Sequence, residues 1–229
     1  MKRVFPILAV VTVALLGYAL YDALVVAPTE QTMGDVQRIF YYHVPSAWTS
    51  FLFFFVNFAA SVVYLMRRNP KADAVAITGA EVGLVFCTVV LVTGPLWARP
   101  VWGIWWTWDW RLTSTLVMWL IYLSYLVLRR FSSGSQTPVL AAVLAVVGAL
   151  DIPLVYFSIW FFRTQHPQPV IGDQGSIDPS MLRVLLVNWA AFLCFGALVF
   201  WWRYRQAVRL QEIEEAEALE SLLEVRGAG

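Results

Sequence analysis

Six apolar stretches, each long enough to cross a bilayer, leave this chain little choice of fold. They fall near Val4–Val26, Ser46–Met66, Ala74–Trp97, Thr113–Leu128, Pro138–Phe162 and Met181–Trp202. A hydrocarbon core of about 30 Å takes roughly 20 apolar residues in helical form, and every backbone N–H and C=O must be paired inside the segment. The expected fold is an all-α polytopic membrane protein, a bundle of six transmembrane helices. Composition agrees, because 14% of the 229 residues are charged, about half the charge density of a soluble domain. A single water-soluble domain is excluded. A net charge of +1 offers no field for nucleic acid. Cys87 and Cys194 both lie inside apolar runs, so a disulfide framework, a zinc site and a Cys-x-x-Cys-His motif are all unsupported. The first run resembles a signal peptide, but it is long enough to span and lacks a clear small-residue cleavage site, so it is read as a retained helix.

Six spans put both termini on one side, and the basic residues say which. One set of loops and tails carries eleven Lys and Arg, including Arg67, Arg68, Lys71, Arg129, Arg130, Arg203, Arg205 and Arg209; the other carries only Arg38, Arg99, Arg111, Arg163 and Arg183. The first set is assigned to the cytoplasm, so segments 27–45, 98–112 and 163–180 face outward. Residues 1–203 form the expected transmembrane domain. Residues 204–229 form a cytoplasmic tail in which Arg203, Arg205 and Arg209 give way to Glu212, Glu214, Glu215, Glu217, Glu220 and Glu224, with Ile213, Ala216, Leu219 and Leu223 at helical spacing. It reads as an amphipathic helix, either solvated or docked on a soluble subunit.

The chain has two histidines, each at the outer end of a span. Before His43, the positions Val36, Ile39 and Phe40 recur at helical spacing, which suggests a helix along the outer interface, with Pro45 an early residue of the second span. His166 follows the fifth span in Arg163-Thr-Gln-His-Pro-Gln-Pro. The topology brings both imidazoles to one face and similar depth. With no cysteine, and no acid adjacent to either, they suit haem iron better than zinc, which wants a third or fourth protein ligand. Capping of a helix end or binding of interfacial water is the simpler role for such a residue.

Six of the twelve tryptophans (Trp97, Trp102, Trp105, Trp106, Trp108, Trp110) lie between the third and fourth spans, in Trp97-Ala-Arg-Pro-Val-Trp-Gly-Ile-Trp-Trp-Thr-Trp-Asp-Trp-Arg. As a helix, Trp102, Trp105, Trp106 and Asp109 share a face; as an extended chain, Trp106, Trp108 and Trp110 do. An aromatic belt uses tryptophan for its wet and dry ends, but needs neither this density nor an Asp and an Arg among the rings. A flat porphyrin with carboxylates at one edge matches such a shelf: indoles for the ring, an arginine for the propionates, Asp109 to orient an arginine or an indole N–H. Arg38, Arg99, Arg111 and Arg163 are the candidate propionate partners, each also placed to snorkel toward headgroups. Asp151, near the middle of the fifth span, is costly there and is expected to join a polar knot or a partner helix. Glu81 lies nearer the cytoplasmic end.

The stretch Trp102-Gly-Ile-Trp-Trp-Thr-Trp-Asp-Trp-Arg-Leu-Thr-Ser resembles the tryptophan-rich signature of the haem-handling superfamily of cytochrome c biogenesis. Arg38-Ile-Phe-Tyr-Tyr-His-Val-Pro-Ser-Ala-Trp and Asp151-Ile-Pro-Leu-Val-Tyr-Phe-Ser, with Arg163-Thr-Gln-His166, resemble the histidine regions of its CcmC branch. The synthetase branches CcmF and CcsA share the tryptophan motif but carry additional histidines. The resemblance implies a membrane subunit, not an enzyme, that binds b-type haem non-covalently at the periplasmic face of the bacterial inner membrane. It further implies delivery to the haem chaperone CcmE in complex with CcmA, CcmB and CcmD. Carried over, axial ligation of the iron falls on His43 and His166. The haem edge falls on Trp102, Gly103, Trp105, Trp106, Trp108 and Asp109, with Trp97 and Arg111 flanking. Two other functions remain open at this point. A b-type cytochrome passing electrons to quinone would usually need further histidine pairs, and an ABC-type permease for another hydrophobic cargo would carry no haem.

Overall fold

The computed structural model describes residues 4–132, 134–162, 164–168, 171 and 177–227. Among them, six helices are long and apolar enough to cross a membrane. The spans run as α1 (Val4–Tyr21), α2 (Phe40–Arg67), α3 (Pro70–Trp102), α4 (Trp110–Phe131), the pair α5 (Thr137–Ala149) and α6 (Asp151–Phe161), and α7 (Pro179–Gly227). Short turns connect α2 to α3 and α4 to α5, at what is here called the tail end. The opposite, histidine end carries the longer connections.

Several boundaries differ from those expected, each for a local reason. A 3-10 turn, Asp35–Ile39, leads straight into α2, so the separate interfacial helix and the span starting at Ser46 are one continuous element. Pro45 is accommodated within it. At the start of α3, Pro70 needs no N–H partner and the Asn69 side chain accepts from the Lys71 N–H at 2.9 Å. α3 continues past Trp97 to Trp102 and stops at Gly103, whose φ of 79° is the left-handed conformation that glycine adopts freely. The tryptophan segment is therefore neither wholly helical nor wholly extended. The fifth span breaks at Leu150, where Pro153 has no N–H to return to the Ala149 carbonyl. α5 packs on α2 and α4, whereas α6 packs chiefly on α4. α7 is one helix from Pro179 to Gly227, running without interruption into the acidic tail.

With lipid outside as apolar as the interior, close packing and polar pairing hold such a bundle together. α2 and α3 approach closely at Gly79, where an added Cβ would lie 2.9 Å from the Phe53 carbonyl oxygen. Across the same seam, Asn57 donates to the Ala76 carbonyl at 2.8 Å and Ser50 to that of Gly83 at 3.1 Å. Toward the tail end, Phe54 stacks on Tyr122 with centroids 3.5 Å apart, among buried Ala80, Leu84, Met118 and Tyr125. Three two-pronged Arg–carboxylate clasps neutralise acids in or beside the spans. Arg129 holds Asp73 through two contacts of 2.7 Å, Arg203 holds Glu81 at 2.6 and 2.8 Å, and Arg183 holds Asp22 at 2.9 and 3.1 Å. Glu81 is thus paired with an arginine of α7. Asp151 is buried with its Oδ2 unpartnered among the described residues, so the expected polar knot does not form around that atom.

Candidate functional site

The histidine end is hollow. α2, α3, α4 and α6 enclose a cavity of about 620 Å³, within the range of roughly 300–1,000 Å³ usual for small-molecule sites. His43, in the first turn of α2, and His166, in the connection after α6, both line it. Their ring centroids lie 6.4 Å apart with the planes inclined by 34°. A metal–imidazole bond of about 2 Å on each side, plus roughly 1 Å from nitrogen to ring centre, puts two imidazoles sharing one ion about 6 Å apart. The observed separation fits one iron between the rings. Among the described residues there is no group of three or more His, Cys, Asp or Glu that would hold a bare metal ion.

Both rings are tethered through Nδ1. His43 Nδ1 lies 2.9 Å from Thr93 Oγ1 on α3, and His166 Nδ1 lies 2.9 Å from the Pro167 carbonyl oxygen. The backbone N–H of His166 also donates to Thr164 Oγ1 at 3.1 Å. Burial pushes the His166 imidazole down to about 4; the Arg111 guanidinium adds to this, and the Pro167 carbonyl and Asp109 oppose it. The ring is therefore neutral near pH 7, the form that offers a nitrogen lone pair.

The tryptophan segment divides. Trp97, Trp102 and Trp106 line the cavity; Trp97 and Trp102 meet edge to face at 5.2 Å. The indole N–H of Trp106 is buried without a partner among the described residues. Trp105 and Trp108 instead point outward, 56% and 76% exposed. Gly103 terminates α3 and Asp109 caps α4, and neither reaches the cavity wall. Asp109 Oδ1 accepts from the Leu112 N–H at 3.0 Å, and Oδ2 accepts from Thr107 Oγ1 at 3.1 Å and the Gln165 N–H at 3.3 Å. Its carboxylate thus orients backbone, not the indole or arginine expected of it.

Of the candidate arginines, only Arg111 lines the cavity among the described residues. It makes two long hydrogen bonds, to the Val155 and Tyr156 carbonyls at 3.3 and 3.4 Å, and no carboxylate among the described residues pairs with it. Arg38 is spent on the Ala23 carbonyl and Asp35, and Arg99 on the Gly103 carbonyl. Arg163 lies outside the described residues. An apolar chamber with aromatic walls, two neighbouring imidazoles, one guanidinium with no ion-pair partner among the described residues and one orphan indole N–H suits a flat, amphiphilic, metal-bearing carboxylate.

Sequence reasoning missed Thr93, Gln37 and Trp160. Thr93 had a signal, as a lone hydroxyl in the run Val89-Val-Leu-Val-Thr-Gly94. Gln37 and Trp160 reach the cavity only through packing that no spacing in the chain announces.

The sequence model of the family described as Heme exporter protein C matches residues 1–219. A Heme exporter protein C of Bradyrhizobium diazoefficiens is 40% identical over 193 residues, covering 83% of this chain and 73% of that protein. The Escherichia coli K12 protein of the same name is 32% identical over 208 residues, covering 90% and 84%. A putative cytochrome c biosynthesis ccmC-like mitochondrial protein of Marchantia polymorpha is 34% identical over 195 residues, covering 85% and 83%. With its six spans and its match over nearly the whole length, the chain belongs to the haem exporter protein C (CcmC) family of cytochrome c biogenesis.

Proposed function

We propose that this protein binds one b-type haem non-covalently between His43 and His166 at the periplasmic face of the inner membrane and delivers it to the haem chaperone CcmE. CcmA, CcmB and CcmD are its proposed partners in the exporter complex. The observation that carries the reading is the pair of imidazoles, 6.4 Å apart in an aromatic-walled cavity. In this reading His43 and His166 hold the iron, Trp97, Trp102 and Trp106 cover the porphyrin, and Arg111 takes a propionate. Trp105 and Trp108, exposed at the rim, meet the receiving chaperone, while Gly103 and Asp109 shape the segment. The basic-residue bias supports an outward histidine end and cytoplasmic termini, with residues 204–229 as the cytoplasmic tail.

A carrier must release what it holds. Two exchangeable nitrogen ligands at a membrane edge permit that, and no covalent bond to the cargo is made. The purified protein is expected to show a low-spin bis-histidine spectrum that His43→Ala and His166→Ala each abolish. An unchanged spectrum in both variants would sink the ligand assignment.

A further inference from the structure

The two imidazoles are tethered by chemically different groups. The carbonyl that faces His166 Nδ1 can only accept, so that nitrogen carries the hydrogen and Nε2 the lone pair. Opposite His43 Nδ1 stands the Thr93 hydroxyl, which in isolation plays either part. Its own hydrogen, however, is already committed. Thr93 Oγ1 lies 2.7 Å from the Val89 carbonyl oxygen one turn earlier on α3, an atom that can only accept. The hydroxyl donates there, and its lone pair faces His43 Nδ1 at 2.9 Å.

We infer that Thr93 is the positioning residue of His43: by accepting from Nδ1–H it fixes the tautomer whose Nε2 carries the lone pair. The chain so reaches the same tautomer at both rings by two routes. At His166 the acceptor is backbone, which substitution of a side chain leaves in place. At His43 it is a side chain, so the donor strength of one ring alone is set by a replaceable group. An acceptor on the far nitrogen orients the ring and raises the basicity of the ligating one. A Cβ at neighbouring Gly94 would already lie 3.5 Å from His43 Cε1, which sets the ring close against α3. The tautomer rests on this chain's own hydrogen bonds; that iron is what Nε2 receives rests on the function proposed above.

The test uses the full-length protein with ¹⁵N-labelled histidine. Only two imidazoles contribute signals, and His166→Ala identifies which belongs to His43. In haem-free protein, wild type and Thr93→Ser are expected to show His43 protonated at Nδ1. Thr93→Val, which keeps the branched shape and loses the acceptor, is expected to show a shift toward Nε2–H. After loading, Thr93→Val should bind haem about 10–100-fold more weakly, the usual effect of losing such a partner, and its reduction potential should rise because a poorer donor stabilises ferric iron less. Thr93→Ser should restore both. An unaltered His43 tautomer in Thr93→Val overturns the assignment, as does a Thr93→Ser variant indistinguishable from Thr93→Val. Wild-type protein without a bis-histidine spectrum would overturn the proposed function instead, and the haem-free nitrogen signals would still decide the role of Thr93.

Discussion

The two ends of the bundle are built from the same helices yet spend their polar residues differently. At the tail end, buried charged groups close on each other. Arg129 grips Asp73 in a site where both side chains are nearly buried, and Gln211 of α7 reaches the Pro70 carbonyl at 3.1 Å, all beneath the stacked Phe54 and Tyr122. At the histidine end the Arg183–Asp22 clasp closes in the same way, but the groups around the cavity are left open. Arg111 has no acid, Trp106 has no acceptor, and both imidazoles keep Nε2 free of any partner in the described structure. Buried polar groups left unpaired are costly; isolated ones occur along the bundle, Asn57 Oδ1, Ser61 Oγ and the Tyr122 hydroxyl among them, but around the cavity a guanidinium, an indole N–H and two imidazoles converge on open space, which marks it as the place where a ligand completes the structure.

The sharpest way to break this comparison is to open the closed end. Asp73→Ala leaves the Arg129 guanidinium uncompensated where its side chain is only 14% exposed, and loss of one partner of a buried pair costs about 3–5 kcal/mol. Unfolding in detergent should show that loss, while the haem bound per folded molecule should stay at the wild-type value. If haem binding fell in step with stability, the two ends would not be separable.

The reverse experiment alters the open end. Arg111→Gln removes a charge but only two long hydrogen bonds to carbonyls. A hydrogen bond to a charged group contributes about 1.5–3 kcal/mol, so haem affinity is expected to fall roughly ten- to a hundredfold. The unfolding midpoint should hardly move. A variant that loses stability and binds haem normally would place Arg111 with the structural arginines.

The spans were legible in the chain because a bilayer imposes length and apolarity on each helix separately. The pairings were not. Asp22, Asp73 and Glu81 stand out as acids near or within apolar runs, but their partners Arg183, Arg129 and Arg203 come from helices 50 or more residues away, and only tertiary packing selects among the arginines at each level. The candidate site divides in the same manner. His43 and His166 were found because the topology fixes their depth, and Trp97, Trp102 and Trp106 because their density is abnormal. That Trp105 and Trp108 turn outward depends on where α3 stops, which Gly103 decides through its backbone and not its side chain.

Asp109 joins the two kinds of chemistry, which makes it the finest test of the contrast. One carboxylate oxygen caps α4 and the other accepts from the Gln165 N–H, the residue before His166. Asp109→Ala should cost about 1 kcal/mol, as the loss of a helix cap commonly does, and should also free the connection that carries His166. Asp109→Ser restores an oxygen short enough only for the cap. Its stability is therefore expected to return toward wild type while the low-spin spectrum stays weakened, because the cap is rebuilt and the reach to Gln165 is not. If Ser rescued both measurements together, the hold on His166 would come from α4 as a whole, and the boundary between closed framework and open site would run two residues later, through Arg111.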